Sequence, residues 1–309
     1  MKNGRLAGLA AITITSVLWG TTGTAATFAP TAGPFAIGAA ALGIGGLLQA
    51  MIALPALRAN WTALLDVKRI VIVGAIAVAI YPLAFYTSMH AAGVAVGSVV
   101  SLASAPLASG ILERLIDKRP LSRWWMLAAT LGILGSALLC ISKVGEQATS
   151  TPNTLLGIAL GLVAGVTYAT YSWATHHLIN NHISRGASMG AIFGGGGLLL
   201  MPVLALTGAP LLNSRENLAV GIYMALIPMF LGYLLFGYGL TQLPASTVTT
   251  VTLTEPAVAT VLAILIVGER LTSLGWIGLI VIAGVLLILA LAPTNDARAE
   301  ADGRTMPST

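Results

Sequence analysis

Residues 274–291, LGWIGLIVIAGVLLILAL, form a run of eighteen residues without a charged side chain. A helix of about 20 apolar residues crosses the roughly 30 Å hydrocarbon core of a bilayer, so this run predicts a membrane span. The composition of the whole chain agrees, because 57% of its residues are hydrophobic and only 8% are charged. An ordinary soluble domain carries roughly 25% charged residues. The sequence therefore predicts an integral membrane protein and excludes a water-soluble domain.

Ten apolar segments of this kind divide the chain. They cover residues 6–26, 33–57, 69–89, 94–115, 123–142, 155–176, 187–206, 218–240, 245–267 and 274–291. The predicted fold class is an all-α integral membrane protein with ten transmembrane helices. The polar tail, 293–309, is predicted to be disordered and cytoplasmic.

Lysine and arginine in the loops predict the orientation, because they are enriched on the cytoplasmic side. With ten helices and a cytoplasmic N-terminus, twelve of the fifteen basic residues lie in the cytoplasm. Lys143, Arg215 and Arg270 lie outside. Both termini are therefore predicted to be cytoplasmic.

The chain repeats itself at an interval of about 150 residues. Trp19 matches Tyr168 at an offset of 149, and Pro106 matches Pro256 at an offset of 150. We therefore predict one five-helix unit in 1–150 and a second in 151–292. Because five is an odd number, the second unit enters the membrane from the opposite side, as in many secondary transporters. Duplication without alternating access is the alternative.

The common sequence motifs of enzymes and nucleotide-binding proteins are absent from the sequence. There is no phosphate-binding loop, no His-Glu-x-x-His and no Gly-x-Ser-x-Gly, so we predict neither an enzyme nor a bound cofactor. The net charge of +5 is dispersed in short clusters rather than in a basic stripe, which argues against nucleic-acid binding. His176, His177 and His182 flank the end of the sixth helix. A solvated helix end is favoured there over a metal site, so no metal is predicted.

Glu255 is a carboxylate near the middle of the ninth segment. Such a group costs at least about 2.5 kcal/mol at membrane depth and must face a cavity, find a partner or stay protonated. The functional interpretation is a contact for a substrate ammonium group, or a proton carrier. The alternative is a protonated side chain that binds backbone carbonyls left free by Pro256.

Aromatic residues at mid-membrane depth form a second set of candidates. Trp19 and Tyr168 are repeat mates, Tyr81 and Phe85 lie one turn apart on the third helix, and Tyr233 lies on the eighth. Their polar tips need partners, which a wet cavity would supply. Packing in the core is the alternative.

Polar and proline residues complete the candidate site. Ser101, between Ser98 and Ser104, lies on a face that either lines a polar path or joins helices. Pro106 and Pro256 each remove a helical hydrogen bond, which predicts either a gating hinge or a static bend.

These residues together resemble the drug/metabolite transporter superfamily of the EamA type. The resemblance covers about residues 6–291 and is carried by Trp19-Gly20, Glu255-Pro256, the segment Gly268-Glu269-Arg270-Leu271 and the two five-helix halves. Among its members the chain is most similar to bacterial exporters of aromatic and other amino acids. The resemblance implies a multi-pass protein of the cell inner membrane with a central pocket between the halves. This pocket would involve Trp19, Tyr81, Tyr168 and the stretch of the fourth helix before Pro106.

The resulting hypothesis is a secondary transporter that exports amino acids by alternating access. Its partners are then the lipid bilayer and a small-molecule substrate, and a monomer is the expected state. Efflux of cationic or lipophilic drugs is one alternative. A membrane scaffold without transport is an alternative of another class.

Overall fold

The computed structural model describes residues 2–144, 153–262, 264–265 and 272–292. The helices that cross the bundle are α1 (Lys2–Ala26), α2 (Pro34–Ile52), α3 (Lys68–Ala92), α4 (Val94–Leu115), α5 (Arg123–Val144), α6 (Thr154–Asn180), α7 (Arg185–Thr207), α8 (Arg215–Gln242), α9 (245–262) and α10 (Ser273–Leu291). Within the described residues, all of these except α9 are long and apolar enough to span a membrane. The predicted all-helical membrane fold is confirmed.

The sequence predicts a bend or hinge at Pro256 within the ninth span, 245–267, and the structure shows an interruption directly before that proline. The span consists of an α-helix (Ala245–Val251), a 3₁₀ turn (Thr252–Thr254) and a second α-helix (Glu255–Leu262). Pro256 has no N–H for the carbonyl of Thr252, so the regular ladder is interrupted there. The motif Gly268-Glu269-Arg270-Leu271, which contributed to the family resemblance, lies outside the described residues. The tail, 293–309, also lies outside them.

Two connections also differ from their predicted boundaries. The second predicted span, 33–57, ends at Ile52, and short helices follow at Leu54–Ala59 and Trp61–Asp66. Only Gly93 separates α3 from α4, and its φ of 87° lies in a region that side chains other than glycine rarely adopt.

Helix packing follows a pseudo-two-fold pattern. Helix α1 packs on α8 and α9, and its mate α6 packs correspondingly on α3 and α4. Helices at equivalent positions of the two halves also contact each other, in the pairs α2–α7, α4–α9 and α5–α10. These contacts relate the two halves in the way that the internal repeat predicts.

Glycine allows α2 and α7 to approach closely. A Cβ atom at Gly197 would lie 2.7 Å from the carbonyl oxygen of Gly43, so only glycine fits without displacement. On the outside of the bundle, large apolar side chains face the surroundings; Leu206 is 86% exposed and Leu291 is 81% exposed. That surface suits a hydrocarbon environment, and the polar groups lie mostly inside.

Candidate functional site

Nine aromatic rings pack together near the middle of their helices. They come from α1, α3, α6, α7 and α8 and are Trp19, Tyr81, Phe85, Tyr86, Tyr168, Tyr171, Phe193, Tyr233 and Phe236. We call this group the aromatic cluster. All nine side chains are buried. Ring centroids lie between 4.5 Å and 6.4 Å apart, which is the range of favourable aromatic packing.

The polar tips of the cluster are hydrogen-bonded to neighbouring helices. Trp19 Nε1–H donates to the carbonyl oxygen of Pro228 at 2.9 Å. The hydroxyl of Tyr168 lies 2.9 Å from Thr252 Oγ1, in the 3₁₀ turn of α9. Since a polar group in hydrocarbon needs an internal partner, these bonds fix the rings relative to α8 and α9.

A π-helical stretch of α8, Ala225–Leu231, supplies acceptors at this depth. Gln49 Nε2 of α2 donates to the carbonyl of Phe230 at 2.8 Å, and Thr15 Oγ1 of α1 donates to that of Gly232 at 3.1 Å. A π-bulge interrupts the regular ladder and leaves carbonyls available to side chains. The irregular part of α8 is therefore held by both α1 and α2.

A small cavity lies between the aromatic cluster and α9. It is lined by Trp19, Thr22, Ala41, Leu42, Tyr81, Pro82, Phe85, Tyr86, Met229, Tyr233 and Glu255. Its volume is about 10 Å³, roughly what the centre of one water molecule needs. The site is thus closed around a space much smaller than a metabolite.

Glu255 brings a carboxylate to this cavity. The side chain is 8% exposed, and its Oε2 has no hydrogen-bond partner among the described residues. Burial of a carboxylate without a partner is costly. For Oε2, the structure does not show the predicted alternative of a bond to carbonyls freed by Pro256. The geometry leaves this oxygen able to accept an N–H or O–H donor that enters the cavity.

The cavity brings together five residues that the sequence singled out. Trp19, Tyr81, Phe85, Tyr233 and Glu255 all line it, although they come from four different helices.

Two further candidates lie outside the cavity lining. Tyr168 packs behind it, with its ring 6.1 Å from Trp19 and 5.6 Å from Tyr81. Ser101 is buried in α4, where its hydroxyl donates to the carbonyl of Gly97 in the same helix at 2.7 Å. Ser101 therefore does not face the cavity in this state.

The two predicted hinge residues differ in their surroundings. Pro256 directly follows the cavity carboxylate and the 3₁₀ turn, whereas Pro106 lies inside the uninterrupted helix α4.

Several residues of the site had not been predicted. Tyr171 and Phe236 each lie three positions after a predicted aromatic residue, so helical spacing places them on the same face. That spacing is a signal by which they could have been found. Gln49 and Phe193 carry no comparable local signal, because their partners come from distant parts of the chain.

The prediction of a solvated helix end is wrong for His176. Its side chain is buried, and Nδ1 lies 2.8 Å from the carbonyl oxygen of Leu240 on α8. The next residue, His177, pairs with Asp117 at 3.2 Å. In the part of the chain that the structure describes, no three His, Cys, Asp or Glu residues are grouped as metal ligands.

A wider groove of about 540 Å³ lies at the end of the bundle where α1 ends and α8 begins. Its lining includes Thr21, Phe28, Val220 and Tyr223. The hydroxyl groups of Thr21 and Tyr223 lie 2.6 Å apart and join α1 to α8. Thr22, the neighbour of Thr21 in the sequence, lines the small cavity.

Known proteins similar to this chain include two that are named as a transporter and an exporter. The uncharacterized transporter YwfM of Bacillus subtilis is 32% identical over 295 residues, which is 94% of this chain and 96% of YwfM. The threonine/homoserine exporter RhtA of Escherichia coli K12 is 27% identical, over 70% of this chain and 68% of RhtA. Protein PecM of Dickeya dadantii is 29% identical, over 72% and 73% of the two chains.

A solved crystal structure shares the fold. It superposes with a TM-score of 0.72 over 90% of this chain and 94% of its own, at 16% sequence identity. The sequence profile of the EamA-like transporter family matches twice, at residues 6–141 and 155–290, once in each half of the chain. The resemblance to EamA-type transporters is thereby confirmed, and the family and relatives are transporters rather than enzymes, as predicted. This multi-pass membrane protein belongs to the EamA-like transporter family.

Proposed function

We propose that the protein is a secondary exporter that moves amino acids across the cell inner membrane by alternating access, with both termini in the cytoplasm. One observation carries the proposal: Oε2 of the buried Glu255 has no partner among the described residues and lies at a cavity walled by aromatic rings. The cavity is the proposed substrate site.

The residues that line the cavity can bind two parts of an amino acid, its ammonium group and its side chain. Glu255 accepts hydrogen bonds from the substrate ammonium group, since charge-assisted bonds are the stronger ones. The rings of Trp19, Tyr81 and Phe85 pack against the substrate side chain. Without substrate, Glu255 takes up a proton, which removes the cost of a buried charge. Exchange of a proton for an ammonium group would couple export to a pH gradient.

The closed cavity supports an occluded state. Its volume of about 10 Å³ holds no amino acid, so the aromatic cluster must separate before a substrate enters. The two halves have matching helix contacts, which suits a rocking motion of one half against the other.

The similar proteins support the substrate class. RhtA is named a threonine/homoserine exporter, which favours neutral amino acids. Aromatic amino acids are proposed in addition, because the aromatic cluster offers stacking surfaces to a substrate ring.

Counterflow in proteoliposomes tests this proposal. Labelled threonine, homoserine and tryptophan are measured with and without a pH gradient. Glu255→Gln should lower the rate at least tenfold, because the amide lacks the charge and cannot carry a proton. The control is Asp66→Asn, which neutralises an exposed carboxylate and should leave the rate within twofold. Normal counterflow by a folded Glu255→Gln protein would contradict the proposal.

A second candidate is efflux of cationic or lipophilic drugs. The cavity lining contains one carboxylate and no basic side chain among the described residues, so a substrate carboxylate has no cationic partner there. Counterflow of a quaternary ammonium compound in place of the amino acids would favour this candidate. A scaffold would give no flux of any of these solutes.

A further inference from the structure

Glu113 is a second buried carboxylate, and it is not among the residues that line the cavity. It lies near the end of α4 and is 4% exposed. Its Oε1 accepts the backbone N–H of Ser246 at 2.9 Å, and its Oε2 accepts the hydroxyl of Ser246 at 2.6 Å. A buried carboxylate at the membrane boundary is tolerated when it is paired in this way. Both bonds go to the first turn of α9.

The first turn of α9 needs this partner. The first N–H groups of a helix have no intrahelical acceptor, and a side chain at the N-cap usually supplies one. Here the N-cap residue is Pro244, which provides no side-chain hydrogen bond. Glu113 therefore caps α9 from a different helix. One turn further along, Thr249 Oγ1 donates to Ser109 Oγ at 3.2 Å and continues the α4–α9 seam.

Neighbouring contacts close the same end of the bundle, which we call the N-side because α1 begins there. Asp117, one turn after Glu113, accepts Trp173 Nε1–H of α6 at 3.0 Å and pairs with His177. Arg5 of α1 donates to the carbonyls of Leu289 and Ala292 at the end of α10. The opposite end has the open groove of about 540 Å³. The N-side is thus the more firmly closed end in this structure.

We propose that Glu113 is the positioning residue of an N-side gate. Its two hydrogen bonds to Ser246 hold α9 against α4 and keep the cavity closed to the N-side. They break when the site opens to that side. The seam lies nine residues before Glu255 on α9, so movement at Ser246 is transmitted to the cavity carboxylate. This inference rests on the proposed alternating access, whereas its test does not depend on the substrate.

Sided cysteine labelling tests the gate. The single native cysteine is removed by Cys140→Ser, and Thr22→Cys places a reporter in the cavity lining. A membrane-impermeant thiol reagent is applied to vesicles from each side. Glu113→Gln should raise the reaction rate from the N-side about tenfold, because the amide loses charge and one acceptor. The rate from the other side should not rise, and Asp66→Asn should change neither rate.

Ser246→Ala tests the same contact with a smaller change. It removes the hydroxyl bond and keeps the backbone bond, so the N-side rate should rise less than in Glu113→Gln. This variant decides the matter if Glu113→Gln fails to fold. The proposal is overturned if the folded variants keep the parental N-side rate, or if the reporter becomes equally reactive from both sides. If the labelling rate rises only from the N-side but the protein shows no counterflow of amino acids, the proposed gate stands and the proposed substrate class is wrong.

Discussion

Helices α4 and α9 are repeat mates that perform different tasks. Each has a proline at the matching position, but Ala105 precedes Pro106 and Glu255 precedes Pro256. Helix α4 runs uninterrupted through its proline, whereas α9 contains a 3₁₀ turn directly before Glu255. Ala105 is fully buried, and Glu255 lines the cavity. The duplicated fold is therefore symmetric in its packing and asymmetric in its chemistry.

The comparison also shows how one half serves the other. Helix α4 has no acidic residue at the cavity, but it supplies Glu113, which caps the start of α9. The first half thus contributes an anchor and the second half contributes the cavity carboxylate.

The largest effects on folding and transport are expected when each residue before a proline is replaced by its repeat mate, in two separate variants. Ala105→Glu buries a carboxylate in a packed position, which costs at least about 2.5 kcal/mol, so little folded protein is expected. Glu255→Ala should remain folded and lose at least about tenfold in counterflow. Size-exclusion chromatography and counterflow measure the two outcomes. A folded, active Ala105→Glu protein would mean that the halves are interchangeable.

Replacement of the two prolines by alanine should affect transport to different extents. Pro256→Ala supplies an N–H to the carbonyl of Thr252 and favours an α-helical turn there. Conversion of three residues from 3₁₀ to α geometry rotates Glu255 by roughly 60°. We expect counterflow to fall about fivefold. Pro106→Ala lies in a continuous helix and should change it less than twofold. Equal losses in the two variants would indicate that both prolines act alike, as bends or as hinges.

The repeat mates Trp19 and Tyr168 should differ in their contribution to stability. Trp19→Phe keeps a ring and leaves the carbonyl of Pro228 without its donor, which should cost about 1–3 kcal/mol. Tyr168→Phe removes a bond to Thr252, whose hydroxyl also donates to the carbonyl of Thr249 at 2.9 Å. Its cost should be at most about 1 kcal/mol. Unfolding in mixed micelles measures both free energies; a larger loss for Tyr168→Phe would reverse the assignment.

The smallest effect is expected at Ser101 of α4. Its hydroxyl bonds within its own helix, so Ser101→Ala should change counterflow and the free energy of unfolding very little. A loss of transport of tenfold would show that this face of α4 enters the substrate path in another state.

Much of the fold could be predicted from the sequence. Long apolar runs specify membrane helices because a bilayer leaves no other partner for the backbone. The helix boundaries were off by a few residues at Ile52 and Ala92. The 3₁₀ turn in α9 was missed, because a proline predicts a local disturbance without its form.

Part of the site was also accessible from the sequence. An isolated carboxylate such as Glu255 and aromatic residues such as Trp19 stand out at membrane depth because burial there is costly. The sequence could not show that His176 is buried or that Phe193 joins the aromatic cluster. Those facts depend on which helices pack together, and no local pattern encodes that.

The sequence by itself determined that this chain lies in a membrane, that it consists of two related halves and that Glu255 is its exceptional residue. Only the tertiary structure decided which side chains meet: that Trp19 and Tyr233 share a cavity with Glu255, and that Glu113 reaches Ser246 across 133 positions of sequence. The physical reason is that hydropathy is a property of each segment. A hydrogen bond or ring contact between helices depends on their relative rotation, depth and neighbours.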